Sequence, residues 1–176
     1  MSPTVLPPAC TPGRYRIELV CLGNICRSPT AHVVLERLLE DAGLADVVEV
    51  SSSGTGDWHV GGPMDRRAAA TLTTAGYDAS RHRARQHDPA ERVDLVLAMD
   101  DANLADLGGR DERTRKFRDF DPVGRSAEGG SDVPDPYYGG DDGFEEVLTM
   151  VERTASAVID MLRLERPWAD PGGPTP

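Results

Sequence analysis

Several things are scarce in this sequence, and each scarcity removes a class of protein. Cysteine occurs three times in 176 residues. That number is odd and too small for a disulfide-held scaffold. A metal centre needs three or four suitably spaced Cys or His ligands, and the close pair Cys21 and Cys26 has no histidine beside it in the chain, so no metal is expected. No apolar stretch approaches the roughly 18 residues needed to span a bilayer, and "MSPTVLPPACTPGR" lacks the basic start and apolar run of a secretory signal. Positive charge is short too. The chain has 19 Lys and Arg against 30 Asp and Glu, a net charge of −11, the wrong sign for general binding to a phosphate backbone. There are no internal repeats. What remains is a cytoplasmic protein with no membrane or nucleic-acid partner, a monomer or weak dimer, of a length that suits one core.

The apolar pattern alternates in type along the chain. "YRIELVC" is a strand candidate ending at Cys21. A helix follows, with Ala31, Val34, Leu35, Leu38 and Leu39 on one face and Gly43 as its stop. "VVEVSSS" is a second short strand, and Met64 to Gly76 a second helix. "VDLVLAM" is apolar at six of seven positions, as in a buried parallel strand. A short helix around Ala102 to Leu107 and a weaker strand at "KFRDF" come next. The last helix carries Phe144, Val147, Leu148, Val151, Ala155, Val158, Ile159 and Leu162 at helical spacing, with Asp142 and Glu145 placed as a capping box. This order predicts a three-layer α/β fold: a four-stranded parallel sheet of flavodoxin-like order 2-1-3-4 with helices on both faces. One domain over residues 14–165 is expected, after a disordered proline-rich leader (1–13) and before a flexible tail (166–176).

In such a sheet, ligands bind beyond the carboxyl ends of the strands where the strand order reverses, and Cys21 lies there. The stretch "CLGNICRSP" leads from a strand into a helix. Such a loop aims backbone N–H groups at one point and adds the helix dipole. Gly23 and Asn24 tolerate left-handed backbone angles, so the loop can curl into an anion-binding nest. That setting favours a cysteine thiolate. Arg27 adds a planar fork matched to two phosphate oxygens. Ser28 before Pro29 reads as an N-cap with proline at the first helical position, its hydroxyl free to point back into the loop. A nucleophile inside an oxyanion cradle suits phosphoryl transfer.

The loop is similar to the C-x5-R-[ST] loop of the low-molecular-weight protein tyrosine phosphatases, and the likeness extends over about residues 14–165. "SSGTGDWHVGGPMDRRA" resembles that family's tryptophan-bearing wall, "HRARQ" its histidine-containing segment, and "DPYYGGDDGFEEV" its general-acid loop and following helix. The resemblance implies that Cys21 is the nucleophile and Arg27 the phosphate clamp, within a phosphate-binding loop of Leu22, Gly23, Asn24, Ile25, Cys26 and Arg27. Asp135 becomes the general acid, and Ser28 stabilises the thiolate as it leaves. Asn24 holds the strained loop, supported by Ser53 and His82. Trp58, Tyr137 and Tyr138 form the walls of a slot for a phosphotyrosine-containing protein or peptide. No cofactor is implied, and His32, His59 and His87 receive no role.

The same scaffold carries related readings. Arsenate reductases use a similar loop but need further cysteines downstream, whereas the third cysteine here is Cys10, ahead of the first strand. Phosphoarginine phosphatases resemble "CTGNTCRS", with threonine where this chain has Ile25, which favours the tyrosine-specific branch. An idle phosphopeptide-binding module would lack one of Cys21, Arg27 and Asp135, and none is missing. A reversible Cys21–Cys26 disulfide would protect the nucleophile from over-oxidation.

Overall fold

The computed structural model describes residues 5–124, 130–170 and 172. Four parallel strands form one sheet in the order β2-β1-β3-β4. They are β1 (Tyr15–Cys21), β2 (Val48–Gly54), β3 (Leu95–Ala98) and β4 (Thr114–Lys116). The helices are α1 (Arg27–Asp41), α2 (Arg66–Thr74), α3 (Asp101–Asp106) and α4 (Asp142–Glu165). The strand order and the parallel pairing are those expected from the sequence.

Successive residues of a strand point to opposite faces. Ile17, Glu18, Leu19 and Val20 are nonetheless all fully buried, so helices and loops cover β1 on both sides. β1 is flanked by β2 and β3 in parallel, with Val20 opposite both Ser53 and Ala98. The chain therefore leaves β1 in one direction and later returns to its other side, which opens a crevice at its carboxyl end. The core gathers Ile17, Leu19, Leu35, Leu97, Val151, Val158 and Leu162, uniting the apolar stripes of α1 and α4. Gly43 and Gly76 stop α1 and α2 with left-handed backbone (φ 71° and 92°), as glycine does beyond a helix C-cap.

Several local expectations need correction. "KFRDF" is not a strand: β4 ends at Lys116, and Phe117–Phe120 form a 3-10 turn. Asp119 Oδ2 accepts the Lys116 N–H (3.1 Å) and Arg118 pairs with Asp121 (3.0 Å), so side chains take over bonds that a ladder would have made. The Asp142–Glu145 capping box does not form. Asp141 occupies the N-cap with helical backbone angles and caps nothing with its side chain, because tight turns from Pro136 to Phe144 lead into the helix.

The leader is not disordered over residues 5–13. Leu6 is buried, its N–H on Glu165 (2.6 Å), and the Ala9 and Gly13 amides donate to the carbonyls of Pro167 and Trp168 (2.9 and 2.8 Å). Tyr15 donates its hydroxyl to the Pro7 carbonyl (3.1 Å). Trp168 is itself 7% exposed. Residues 6–15 and 165–168 thus pack on each other at the amino side of the sheet, opposite Cys21, and the expected flexibility does not extend over residues 166–168. Residues 1–4, and 171 and 173–176 of the tail, lie outside the described residues.

Candidate active site

β1 delivers Cys21 to the end of the sheet, and residues 22–26 turn back into α1. Cys26 takes the N-cap position, and Arg27 is the first helical residue. Ser28 is therefore not the N-cap. It sits one residue into the helix and points inward, its hydroxyl 3.0 Å from Cys21 Sγ. The Asn24 N–H also donates to Cys21 Sγ (3.3 Å). A thiolate there meets a hydroxyl, an amide and the positive end of a 15-residue helix. Cys26 is buried alongside. Burial, reinforced by the negative charges of Asp65, Cys21 and Asp135, pushes its thiol up to about 12, so it stays protonated at neutral pH. All three cysteines are free thiols.

Asn24 is the keystone of the loop. It holds a left-handed backbone (φ 55°), which Asn tolerates better than most residues. Its side-chain amide donates to Ser28 Oγ (2.8 Å) and Ser52 Oγ (3.1 Å), and its Oδ1 accepts from the Arg85 N–H (2.9 Å). His82 Nε2–H donates to its carbonyl (2.7 Å). Burial keeps His82 below the ordinary imidazole value, so it serves as a neutral donor. The serine on Asn24 is thus Ser52, not Ser53. Ser53 contributes its carbonyl, which accepts the Ser28 hydroxyl (3.2 Å), and aims its own hydroxyl at Glu18 (2.6 Å). Gly54 completes the support. A Cβ there would lie 2.7 Å from the Leu22 carbonyl oxygen, so β2 can press against the loop only through glycine.

Arg27 is 3% exposed and spans the crevice. Nη1 donates to Asp100 (2.5 Å) and the Val133 carbonyl (3.1 Å), and Nη2 lies 3.4 Å from Asp135. Burial works against its charge, but Cys21, Asp100 and Asp135 outweigh it. Asp100 was missed in the sequence. It follows the carboxyl end of β3 and caps α3 through Asn103 N (2.7 Å). A capping aspartate next to the switch point was the available signal.

Leu22, Gly23, Ile25, Cys26 and Arg27 line a slot of about 300 Å³ over Cys21, with Trp58, His59, Asp135, Tyr137 and Tyr138 around its mouth. Asn24 is not part of this lining: its side chain is turned behind the loop. Tyr137 and Tyr138 meet edge to face, centroids 4.9 Å apart. Arg67 steadies this wall, donating to the Tyr137 carbonyl (3.0 Å) and to Asp65, the N-cap of α2. The Tyr137 N–H donates to Asp135 Oδ1 (3.1 Å). His59 lies against Gly23 at the rim, and His32 reaches Ser52 (3.2 Å) behind the loop. Neither position follows from sequence spacing: His59 arrives on the turn after β2, and His32, on α1, meets a serine of β2.

Comparison with known proteins agrees with this geometry. The family model for low molecular weight phosphotyrosine protein phosphatase matches residues 16–167. A low molecular weight protein-tyrosine-phosphatase of Streptomyces coelicolor is 46% identical over 157 residues, 85% of this chain and 94% of that protein. Low molecular weight protein-tyrosine phosphatase A of Mycobacterium bovis is 41% identical over 147 residues, 82% of this chain and 89% of its own length. The solved structure of a protein tyrosine phosphatase from Entamoeba histolytica, with Hepes in its active site, superposes with a TM-score of 0.78 at 29% identity, covering 86% of this chain and 99% of that one. With all but the first residue of the span from β1 to α4 inside the matched region, the chain belongs to the low molecular weight phosphotyrosine protein phosphatase family.

Proposed function

We propose that this protein hydrolyses phosphotyrosine in proteins or peptides through a phosphocysteine intermediate on Cys21. The observation that carries the reading is the sulfur's placement: Cys21 Sγ sits at the floor of an aromatic-rimmed slot, within 3.0 Å of Ser28 Oγ and 3.3 Å of the Asn24 N–H. The thiolate attacks phosphorus, and the bond from phosphorus to the phenolic oxygen breaks. Asp135 gives its proton to the departing phenolate. In the second step water attacks the phosphocysteine, Asp135 takes the water's proton, the phosphorus–sulfur bond breaks, and Ser28 donates to the leaving thiolate. Splitting one displacement into two is the advantage of covalent catalysis.

Arg27 has five N–H donors. Asp100, the Val133 carbonyl and Asp135 engage three of them, which leaves two for phosphate oxygens. Trp58 and the tyrosine pair favour an aryl ester, whose ring fills the slot. The three free thiols and the absence of a membrane-crossing helix among the described residues suit work in the reducing cytoplasm. The same scaffold can serve phosphoarginine, so the substrate test includes it. Metal-free protein is assayed with phosphotyrosine and phosphoarginine peptides, alongside Cys21→Ser. Turnover of phosphotyrosine in preference, abolished in the variant, is expected. Preference for phosphoarginine would overturn the substrate, and turnover retained by Cys21→Ser would overturn the mechanism.

A further inference from the structure

Glu18 is a carboxylate in the middle of the central strand, 0% exposed. Burying such a group is costly unless it is paired and hydrogen-bonded. Its Oε1 accepts from Ser53 Oγ (2.6 Å), Arg85 Nη2 (3.2 Å) and His87 Nδ1 (3.2 Å), while Oε2 has no partner. None of these groups touches the slot's catalytic atoms, yet each leads to them. The Ser53 carbonyl holds the Ser28 hydroxyl that faces Cys21. The Arg85 N–H holds Asn24 Oδ1, and its Nε holds the Ser52 carbonyl (3.0 Å). His87 is tied by its N–H to the carbonyl of Gly54, which presses on the loop (2.8 Å).

We propose that Glu18 and His87 form an ion pair that positions the anion cradle from behind, so that oxyanion binding at Cys21–Arg27 weakens as His87 loses its proton. This rests on the reading of that loop as an oxyanion cradle. The charged groups around the pair are Arg85, shared with Glu91 (2.9 Å), and Asp88, beside His87 in the chain. With His87 neutral, Arg85 alone must balance a fully buried carboxylate. Its guanidinium is then drawn from Glu91 and Ser52 toward Glu18, and its backbone from Asn24.

The direction of titration follows. The hydrogen bond to Glu18, with the Glu18 and Asp88 charges, raises His87 above the ordinary imidazole value against burial and the Arg85 charge. Burial alone would raise Glu18, but hydrogen bonds from His87 and Ser53 and the charges of His87 and Arg85 hold it lower. The support from His87 is therefore complete below about pH 6.5, the unperturbed value, and is lost as pH rises through the raised one. That from Glu18 is present above its ordinary range and is lost as pH falls through the depressed value.

The test is calorimetric binding of inorganic tungstate, kept at micromolar concentration so that it remains the monomeric dianion between about pH 5.5 and 8.5, to the parent, H87Q, H87K, E18Q and E18Q/H87Q. Glutamine imitates neutral imidazole, so H87Q is expected to bind about fivefold more weakly than the parent at the acid end, an ordinary site-to-site coupling. The two should converge at the alkaline end. H87K, which keeps its cation, should hold its affinity there. E18Q/H87Q should bind no more weakly than E18Q. A constant ratio of H87Q to parent affinity across the range, or equal affinities throughout, overturns the proposal. If E18Q does not fold, the H87Q and H87K arms still decide. A parent that binds no tungstate overturns the cradle reading and the ion pair's role with it; a parent that binds tungstate without hydrolysing aryl phosphates overturns only the enzymatic reading.

Discussion

The two sides of the Cys21 loop are built on opposite plans. Behind it, Asn24, Ser28, Ser52, Ser53 and Glu18 are all buried and joined by hydrogen bonds of 2.6–3.2 Å. In front, Trp58 is 69% exposed and Tyr138 92%, and the described contacts of this rim are few. The back can fix the donors that meet negative charge with no reorganisation during reaction, which is where electrostatic catalysis gains most. The front meets substrates of differing shape, and rigid packing there would narrow what it accepts. Chemistry is thus assigned to the ordered side and selection to the open one, with Asp135 on the boundary, touching Arg27 and the Tyr137 amide at once.

Substitutions at three positions sharpen or break that contrast. The largest effect is expected at the boundary. Asp135→Asn should lower turnover of phosphotyrosine by about 10²–10⁴-fold, as loss of a general acid does, and leave tungstate affinity nearly unchanged. Steady-state kinetics beside anion binding will show this, and unchanged turnover would remove Asp135 from the mechanism. Next comes the back. Asn24→Ala should lose about 3 kcal/mol in denaturant unfolding, from stranded partners and a left-handed backbone that alanine resists. Asn24→Gly should recover the backbone share and not the hydrogen bonds. Equal stability of the two variants would show that the left-handed backbone carries no strain, and Asn24→Gly as stable as the parent would show that the amide network carries no load. The smallest effect belongs to the front. Trp58→Ala should change stability by no more than about 0.5 kcal/mol, as at other exposed positions. It should raise KM for an aryl phosphate about three- to tenfold, the worth of one aromatic contact.

The same contrast explains what could be read from the sequence. The strand-loop-helix passage around Cys21 was legible because its signals are local: cysteine, turn residues and arginine lie within seven positions. Sheet order was legible because strands and helices alternate along the chain and right-handed crossovers leave few topologies. The network behind the loop was not. Ser51, Ser52 and Ser53 alternate faces along β2, and composition does not say which hydroxyl meets Asn24, so the support was placed on Ser53 where it is Ser52. Ser28 looked like a helix cap because Ser-Pro is a capping signal; an arginine already inside the helix overrides it. Glu18 and His87 are 69 positions apart, with no shared motif to join them. The leader's docking depends on Trp168 and Glu165 at the far end of the chain, which no local periodicity reveals.

The central claim is that Cys21, and not its buried neighbour Cys26, carries the phosphoryl group. In Asp135→Asn the first step on p-nitrophenyl phosphate, whose leaving group needs little protonation, outruns hydrolysis. Rapid alkaline quench followed by peptide mass mapping under alkaline conditions should then find a phosphate adduct on Cys21, absent from the Cys21→Ser variant. An adduct on Cys26, or turnover with none on either sulfur, would contradict the account.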